Sequence, residues 1–387
     1  MAAGVTPSKE EVKRPRPRRP RGVLDQAWPF LSLVGIVVLL TLVLGNASGE
    51  IITYLIQALV TMIVTIGLYV FVGNSGVLSL GHAGLMAVGA YVGGIMSIPV
   101  IQKSTLLPAL PHFLSSTALS LWPAALLAAV VAGVVGYLVS IPISRLSGLG
   151  AAVATLALLQ ISQVVLINWH VLSSDGGATP GVPVDTTTWA AVIGVVIALA
   201  IAYLYQRSAS GIRLRASRED PVAARSLGIN IPRERRRAFT ISAAVAGLGG
   251  ALYAHSVGTV SAADFFIATG FLQLAMLVVG GINSLAGAVS GVLAISLITD
   301  FFVQLENGQG VGPLKVNLPN GIETAIVSLL LLLILIKRPA GLTKGQEFRL
   351  PKRLGGRGAL ADAELEASAI SSTDVAVATP TDDPGVA

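Results

Sequence analysis

The sequence predicts an all-α protein that crosses a membrane many times. The chain has 387 residues, of which 53% are hydrophobic and only 12% are charged, and its mean hydropathy is +0.77. A soluble domain carries roughly 25% charged residues. The charges are also unevenly placed: nine arginines and three acids lie between Arg207 and Arg237, whereas the rest of 22–336 holds eleven charged residues. These observations favour a polytopic membrane protein with one internal segment in water.

Ten apolar segments approach the length of about 20 residues that a helix needs to cross a bilayer. They are 28–45, 51–72, 83–100, 122–144, 150–169, 188–206, 238–258, 266–282, 285–303 and 322–336. Only a tight turn at Gly280, Gly281 and Asn283 separates the eighth segment from the ninth. One of these two could therefore be a broken or re-entrant segment.

The segments outside this region have a different composition. Residues 1–22 are polar and rich in Pro and Arg, which predicts a disordered basic tail; a cleaved signal peptide is the alternative for this start. Residues 341–387 have low hydrophobicity and no apolar periodicity, which predicts a second disordered tail. The transmembrane domain is therefore expected at 23–340.

The positions of the basic residues predict the orientation in the membrane. If the N-terminus lies inside, ten spans place 24 of the 26 Lys and Arg on the cytoplasmic side, and only Lys103 and Lys315 fall outside. This is the asymmetry that the positive-inside rule describes. We therefore expect both termini and 207–237 to be cytoplasmic, in a multi-pass protein of the cell inner (plasma) membrane. The basic residues lie where a membrane surface attracts them, so nucleic-acid binding is not expected.

The segment 207–237 contains the signals of a short helix. Pro221 suits the first position of a helix, Ser217 or Asp220 could cap it, and Gly228 suits the left-handed residue after its end. The resulting helix, roughly Pro221–Leu227, is too short to be stable alone in water and is expected to rest against a partner. The alternative is an ordinary cytoplasmic loop with a fortuitous cap.

The same segment resembles a known family. Ala223, Ala224 and Gly228 are spaced as in the loop signature of ABC importer permeases, with Val222 in place of its acid, and 215–254 resemble the permease subunits of branched-chain amino-acid ABC importers. The resemblance implies that 207–237 is the coupling loop, which rests in a cleft of a cytoplasmic ATPase. The coupling residues that it implies are Arg218, Glu219, Asp220, Pro221, Ala223, Ala224, Arg225, Gly228 and Arg235.

Three other segments resemble the same family: 73–94, 276–287 and 337–342. In the first, Gly89 and Gly93 are spaced to form a close helix-packing face. In the second, Asn283 stands where the family usually has a glycine, and Gln273 is the polar residue nearest to the position of a frequent carboxylate.

Polar residues within the apolar segments are candidates for a translocation path, because such residues normally face a bundle interior or a water-filled route. Thr155, Gln160 and Gln163 fall within an arc of about 140° on one helix. The alternative for these residues is hydrogen bonding between helices, and His82 could be a structural donor or a proton carrier. The candidates are Ser79, His82, Thr155, Gln160, Gln163, Gln273 and Asn283.

Several chemistries are excluded or disfavoured by the sequence. It contains no G-x-x-x-x-G-K-[ST] phosphate loop and no cysteine, so ATP hydrolysis by that chemistry and thiolate sites are excluded. No cofactor or metal site is expected. The acids within the spans, Asp300 and Glu323, lie near the span ends, which disfavours a carrier driven by protons or sodium.

The resemblance implies a transport function without catalysis in this chain. It implies the permease subunit of an ATP-driven importer of branched-chain, hydrophobic amino acids. The expected partners are two ABC ATPase subunits, a second related permease, an extracytoplasmic solute-binding protein and the lipid bilayer. Import of urea, short amides or another small solute, a self-powered secondary transporter, and a membrane scaffold or receptor subunit are the alternatives.

Overall fold

The computed structural model describes residues 23–45, 49–169, 171, 177–306, 322–337, 341–343 and 345. Within these ranges the chain forms fourteen α-helices and one pair of short strands. The helices are α1 (Val23–Leu44), α2 (Gly49–Ser75), α3 (His82–Ser97), α4 (Val100–Leu106), α5 (His112–Ser115), α6 (Leu121–Ile143), α7 (Leu149–Asn168), α8 (Thr188–Arg207), α9 (Ala209–Glu219), α10 (Pro221–Ser226), α11 (Ile231–Val257), α12 (Ile267–Gly280), α13 (Leu285–Glu306) and α14 (Ile322–Lys337).

The described residues from 30 to 345 form one compact unit. Outside this unit, the described residues are 23–29, the start of α1. The predicted tails, 1–22 and nearly all of 341–387, therefore lie outside the described residues.

Seven of the described helices are long and apolar enough to cross a membrane: α1, α2, α6, α7, α8, α11 and α13. An eighth span is possible where α3 and α4 follow each other with a bend of 117°. The helix α12 has 14 residues and rises about 21 Å, which is less than the roughly 30 Å of a hydrocarbon core. The chain is thus an all-α, multi-pass membrane protein, and the count of ten spans stays a prediction.

The bend between α3 and α4 has a local cause. Ile98 precedes Pro99, and the ring of a proline disfavours helical backbone in the residue before it. Ile98 is extended, with φ −57° and ψ 132°, so α3 ends at Ser97 and the predicted segment 83–100 is not one straight helix. Beyond the bend, the buried ammonium of Lys103 donates hydrogen bonds to the carbonyls of Leu114 and Thr117.

The centre of the bundle is α11, which packs against α2, α3 and α6. Small residues allow this approach: a Cβ on Gly89 of α3 would lie 2.2 Å from the Gly247 carbonyl oxygen, and one on Gly93 would lie 2.6 Å from the Ala251 Cβ. The predicted packing face of Gly89 and Gly93 is therefore confirmed. Close contact between backbones is the main source of helix association in lipid, where the hydrophobic effect between helices is weak.

The chain connections define two ends of the bundle. At one end, β1 (Ala178–Pro180) pairs antiparallel with β2 (Thr259–Ser261), with Thr179 opposite Val260. These strands precede α8 and follow α11, so the segment between α8 and α11 lies at the other end. That segment is the arginine-rich 207–237, and we call its side of the bundle the arginine end.

Candidate coupling surface and translocation path

The segment 207–237 is helical over most of its length. Ser208 caps α9 by accepting a hydrogen bond from the Gly211 amide at 3.1 Å. Asp220 caps α10: its Oδ1 accepts from the amides of Val222 and Ala223, both at 2.9 Å. The sequence left Ser217 and Asp220 open as caps, and the Ser217 hydroxyl instead donates to the Leu214 carbonyl. The predicted short helix is confirmed, and it is Pro221–Ser226.

The helix α10 projects from the surface. Ala224 is its only buried residue, whereas the apolar side chains of Val222 and of Leu227 just beyond it are 75% and 81% exposed. Arg225 is exposed beside them. Gly228 follows with φ +77°, the left-handed conformation that lets the chain turn back toward α11. We call the exposed residues Val222, Arg225 and Leu227 the α10 knob.

A buried carboxylate fastens this segment to the bundle. The Glu234 side chain is 5% exposed and lies within 3.1 Å of the Arg237 guanidinium and 3.6 Å of that of Arg213. The Ser210 hydroxyl donates to it from α9. Glu234 is not among the residues predicted from the sequence, although one acid among four arginines at 233–237 was the available signal. Burial of this charge is tolerable because it is paired and hydrogen-bonded.

Two of the predicted coupling arginines contact their own chain. Arg218 donates a hydrogen bond at 2.8 Å to the Gly73 carbonyl, near the end of α2, and a Cβ on Gly76 would lie 2.9 Å from its Cγ. Arg235 donates to the Leu146 carbonyl at 2.7 Å, in the turn between α6 and α7. Glu219 is 80% exposed, 3.9 Å from Arg218. Of the three arginines Arg218, Arg225 and Arg235, it is Arg225 that lies exposed on α10.

Described residues from all four segments that resemble the permease family meet at the arginine end. Gly73 lies against the Ile282 carbonyl, 2.8 Å from where its Cβ would be, and also contacts Arg218. The Leu342 amide donates to the Val279 carbonyl at 2.8 Å, so residues 341–343 contact the end of α12. Segments that are distant in sequence therefore form one continuous structure around the C-terminal end of α2.

Ser79 and His82 belong to a buried polar chain. Each is 1% exposed; His82 Nδ1 lies 2.9 Å from the Ser79 hydroxyl, and Nε2 contacts the Ser242 hydroxyl of α11. Ser242 donates its single hydrogen to the Gly67 carbonyl, so Nε2 must donate to Ser242 and Nδ1 must accept from Ser79. A neutral imidazole satisfies every bond. The sequence could not reveal Ser242, which lies 160 residues from His82.

The polar residues of α7 point in different directions. Thr155 is fully buried, and its Oγ1 accepts from the Leu80 amide at 3.1 Å, before the start of α3. Gln163 is half-buried and Gln160 is exposed. Thr155 and Gln160 are about 140° apart around the helix. When Thr155 faces α3, Gln160 consequently faces away from the bundle.

The remaining two path candidates, Gln273 and Asn283, differ in burial. Gln273 of α12 is 2% exposed; its Nε2 contacts the Met86 sulfur at 3.3 Å, and its Oε1 has no hydrogen-bond partner among the described residues. Asn283 is exposed in the turn between α12 and α13. Within the described part of the chain, no group of three or more His, Asp and Glu side chains is placed to hold a metal ion.

Long apolar helices that pack through glycine and alanine, with a charged helical segment at one end, define a multi-pass membrane protein. Residues 50–336 match the family described as the branched-chain amino acid transport system permease component. The match covers well over half of the chain, so this chain belongs to that family of transport permeases.

Individual relatives extend this finding. The chain is 29% identical over 317 residues to the high-affinity branched-chain amino acid transport system permease protein LivM of Escherichia coli, covering 72% of this chain and 67% of LivM. It is 30% identical to the probable branched-chain amino acid transport permease protein LivH of Methanocaldococcus jannaschii, over 41% of this chain and 48% of LivH. It is also 31% identical to the nucleoside ABC transporter permease protein NupC of Lactococcus lactis, over 26% and 32% of the two chains. No solved structure matches the chain.

Proposed function

We propose that this chain is the membrane-spanning permease subunit of an ATP-driven ABC importer for branched-chain amino acids. Its partners are two ABC ATPase subunits, a second related permease and an extracytoplasmic solute-binding protein. The α10 knob carries this proposal. Exposed apolar side chains beside a cation, on a helix outside the apolar spans, form a surface suited to fit a cleft in another protein.

The connections of α10 are suited to transmit force. Movement of an ATPase that holds the α10 knob is passed to α9 and α11, which Glu234 ties together. Arg218 passes it on to the end of α2 through the Gly73 carbonyl. The loop from Gly76 to Gly81 then leads directly into α3. Helices joined through glycine and alanine contacts, such as α3 and α11, can slide past each other with little change of side-chain packing.

The orientation follows from the same assignment. An ATPase that binds 207–237 must lie in the cytoplasm, which agrees with the positive-inside asymmetry of Lys and Arg. Ten spans with both termini cytoplasmic, in the cell inner membrane, satisfy this arrangement. The tails 1–22 and 341–387 then extend into the cytoplasm from the transmembrane domain at 23–340.

The outer face of α7 is the part of the proposed path that a second permease completes. Gln160 lies near the middle of this span and is exposed, and an amide in contact with hydrocarbon is costly. A polar route between the two permeases, lined by Gln160 and Gln163, removes this cost. Ser79, His82 and Thr155 lie behind this path and fix the position of the start of α3. Gln273 on α12 and Asn283 in the following turn border the path.

The substrate class is proposed from the relatives. Two of the three relatives above are named for branched-chain amino acids, and the match to LivM extends over the largest share of this chain. The relative named for nucleosides matches about a quarter of the chain and supports a second candidate, nucleoside import. Urea and short amides remain further alternatives.

The test is reconstitution of the chain in proteoliposomes with its genomic-neighbour permease, ATPases and binding protein. We expect ATP-dependent uptake of radiolabelled leucine, and weaker uptake of guanosine or urea. An R225E substitution should release the ATPases from the membrane complex, whereas R225K should retain them. Uptake by this chain alone, without ATPases, would overturn the proposal, and preferential uptake of guanosine would replace the substrate.

A further inference from the structure

A cavity of about 350 Å³ opens between α6 and α11 at the arginine end. The residues of α11 that line it recur every three or four positions and therefore share one face of the helix. The cavity lies within the size range of small-ligand sites, roughly 300–1,000 Å³. Its lining consists of Tyr137, Arg233, Arg236, Arg237, Thr240 and Ile241.

The cavity has an excess of positive charge. The Arg236 guanidinium lies over the Tyr137 ring, 5.8 Å from its centroid, and its Nε is buried without a hydrogen-bond partner among the described residues. Arg233 makes no ion pair within the described part of the chain. Glu234 does neutralise Arg237, but it is also shared with Arg213 and Ser210 of α9. No acid lines the cavity, so a bound anion would neutralise its positive charge.

The surroundings place the cavity at the boundary between membrane and water. Tyr137 is 46% exposed on α6, and tyrosine favours the level of the lipid headgroups. From Tyr137 toward the middle of the span, α6 exposes a row of apolar side chains at Val134, Val130 and Leu126, which are 55–66% exposed. The basic cavity is thus continuous with an apolar surface of the length and direction that an acyl chain requires.

We propose that this cavity binds the phosphate headgroup of an anionic phospholipid, with an acyl chain along Val134, Val130 and Leu126. Arg236 and Arg233 hold the phosphate oxygens, because a guanidinium matches phosphate geometry with two parallel hydrogen bonds. Basic pockets between membrane helices suit anionic headgroups in this way. A soluble anion is a less suitable occupant, because it would not contact the apolar row. An acidic surface of an ATPase is also less suitable, because the proposed contact of the ATPase is the separate α10 knob.

The test measures lipid binding by the purified full chain in neutral detergent, by anisotropy of an acyl-labelled phosphatidylglycerol. R236Q is expected to weaken binding about fivefold, and R233Q/R236Q about 25-fold, because each basic residue near an anionic surface contributes roughly 1 kcal/mol. R207Q is the matched control: Arg207 also lies over a tyrosine, Tyr203, at 4.9 Å, but does not line the cavity. Its effect should stay below twofold.

A second variant changes the charge of the cavity without removing an arginine, and its folding is checked by gel filtration. I241E adds a negative charge to the cavity and keeps every arginine, and it should weaken binding at least as much as R236Q, with an unchanged gel-filtration profile. Equal loss in R207Q, or equal affinity for phosphatidylcholine, would show that no local anionic site exists. Competition by glycerol 3-phosphate at lipid-like concentrations would indicate a soluble-anion site. If R233Q/R236Q binds lipid normally but fails to retain the ATPases in the reconstituted importer, the two arginines form a protein contact. Each of these results overturns the proposal.

Discussion

At the scale of single residues, Gly228 and His82 show two ways in which a side chain is constrained. Gly228 has a φ of +77°, and no described atom lies within 4 Å of the place where its Cβ would be. The constraint is therefore conformational, since a left-handed backbone costs a residue with a Cβ roughly 1–2 kcal/mol. His82 is constrained by its partners, because both ring nitrogens are used by serines inside the bundle.

Replacement of Gly228 tests the conformational constraint. G228V should displace the end of α10 and abolish ATP-driven uptake, because a β-branched residue is strongly disfavoured at positive φ. G228N is the control, since asparagine tolerates this conformation, and it should retain most of the uptake. Both chains should insert into the membrane at wild-type levels, as judged by quantitative immunoblotting of membranes. Normal uptake by G228V would contradict the role given to α10.

At the scale of elements, three separate attachments hold the helices on either side of α10. Glu234 ties α9 to α11, Arg218 ties α9 to α2, and Arg235 ties α11 to the turn that follows α6. These bonds connect the arginine end to α2, to α11 and to the turn after α6. The bundle beneath it is assembled by glycine contacts between α3 and α11, and under the proposed function a movement of 207–237 would be passed to those spans.

The Arg218 bond makes a prediction that separates binding from transmission. R218Q removes a charge-assisted hydrogen bond, a contribution of roughly 1.5–3 kcal/mol, but leaves the α10 knob intact. The ATPases should still co-purify and hydrolyse ATP, while solute moved per ATP falls about tenfold or more. R218K, which keeps the charge, should fall less. If R218Q loses the ATPases altogether, Arg218 belongs to the docking surface.

The packing of α3 against α11 makes a prediction about stability. A Cβ on Gly250 would lie 2.0 Å from the Met86 carbonyl oxygen and 2.8 Å from the Ala90 amide nitrogen, both of which are backbone atoms that cannot yield. G250A should therefore destabilise the folded chain by about 1–3 kcal/mol, the usual cost of overpacking. The matched control is G150A in α7, where no described atom lies within 4 Å. Thermal unfolding in detergent should show a lower Tm for G250A and an unchanged or higher Tm for G150A.

At the scale of the whole molecule, the bundle has two chemically different ends. The arginine end presents α9 and α10, whereas the opposite end presents the β1–β2 pair and the bent α4 with its buried Lys103. Under the proposed function these ends face opposite sides of the membrane. The ten predicted spans, six before 207–237 and four after it, place this segment on the same side as both termini.

Orientation can be measured directly because the chain has no cysteine. S226C, at the exposed end of α10, should react with a membrane-impermeant maleimide only from the cytoplasmic side. S104C, exposed on α4, should react only from the other side. Labelling of right-side-out and inside-out vesicles, read by a gel shift, distinguishes these outcomes. If both cysteines label from one side, α3 with α4 does not complete a span and the count before 207–237 is wrong.

Some elements could be derived from the sequence because their signals are local. Pro221, Asp220 and Gly228 act on the backbone within a few residues, so the position of α10 was predictable. Gly89 and Gly93 indicated a packing face for the same reason. The length of α3 was overestimated, because apolar composition continues through Ile98 and Pro99 although the helix does not.

The sequence by itself determined the class of protein, the position of the charged segment and the short helix within it. It did so because apolar length, charge and capping are properties of neighbouring residues. Only the tertiary structure decided which side chains meet: Ser242 with His82, Glu234 with Arg213, and Arg218 with Gly73. The partners in these contacts are separated by 160, 21 and 145 residues. Which of them meet depends on how the helices pack, a property that no local pattern contains.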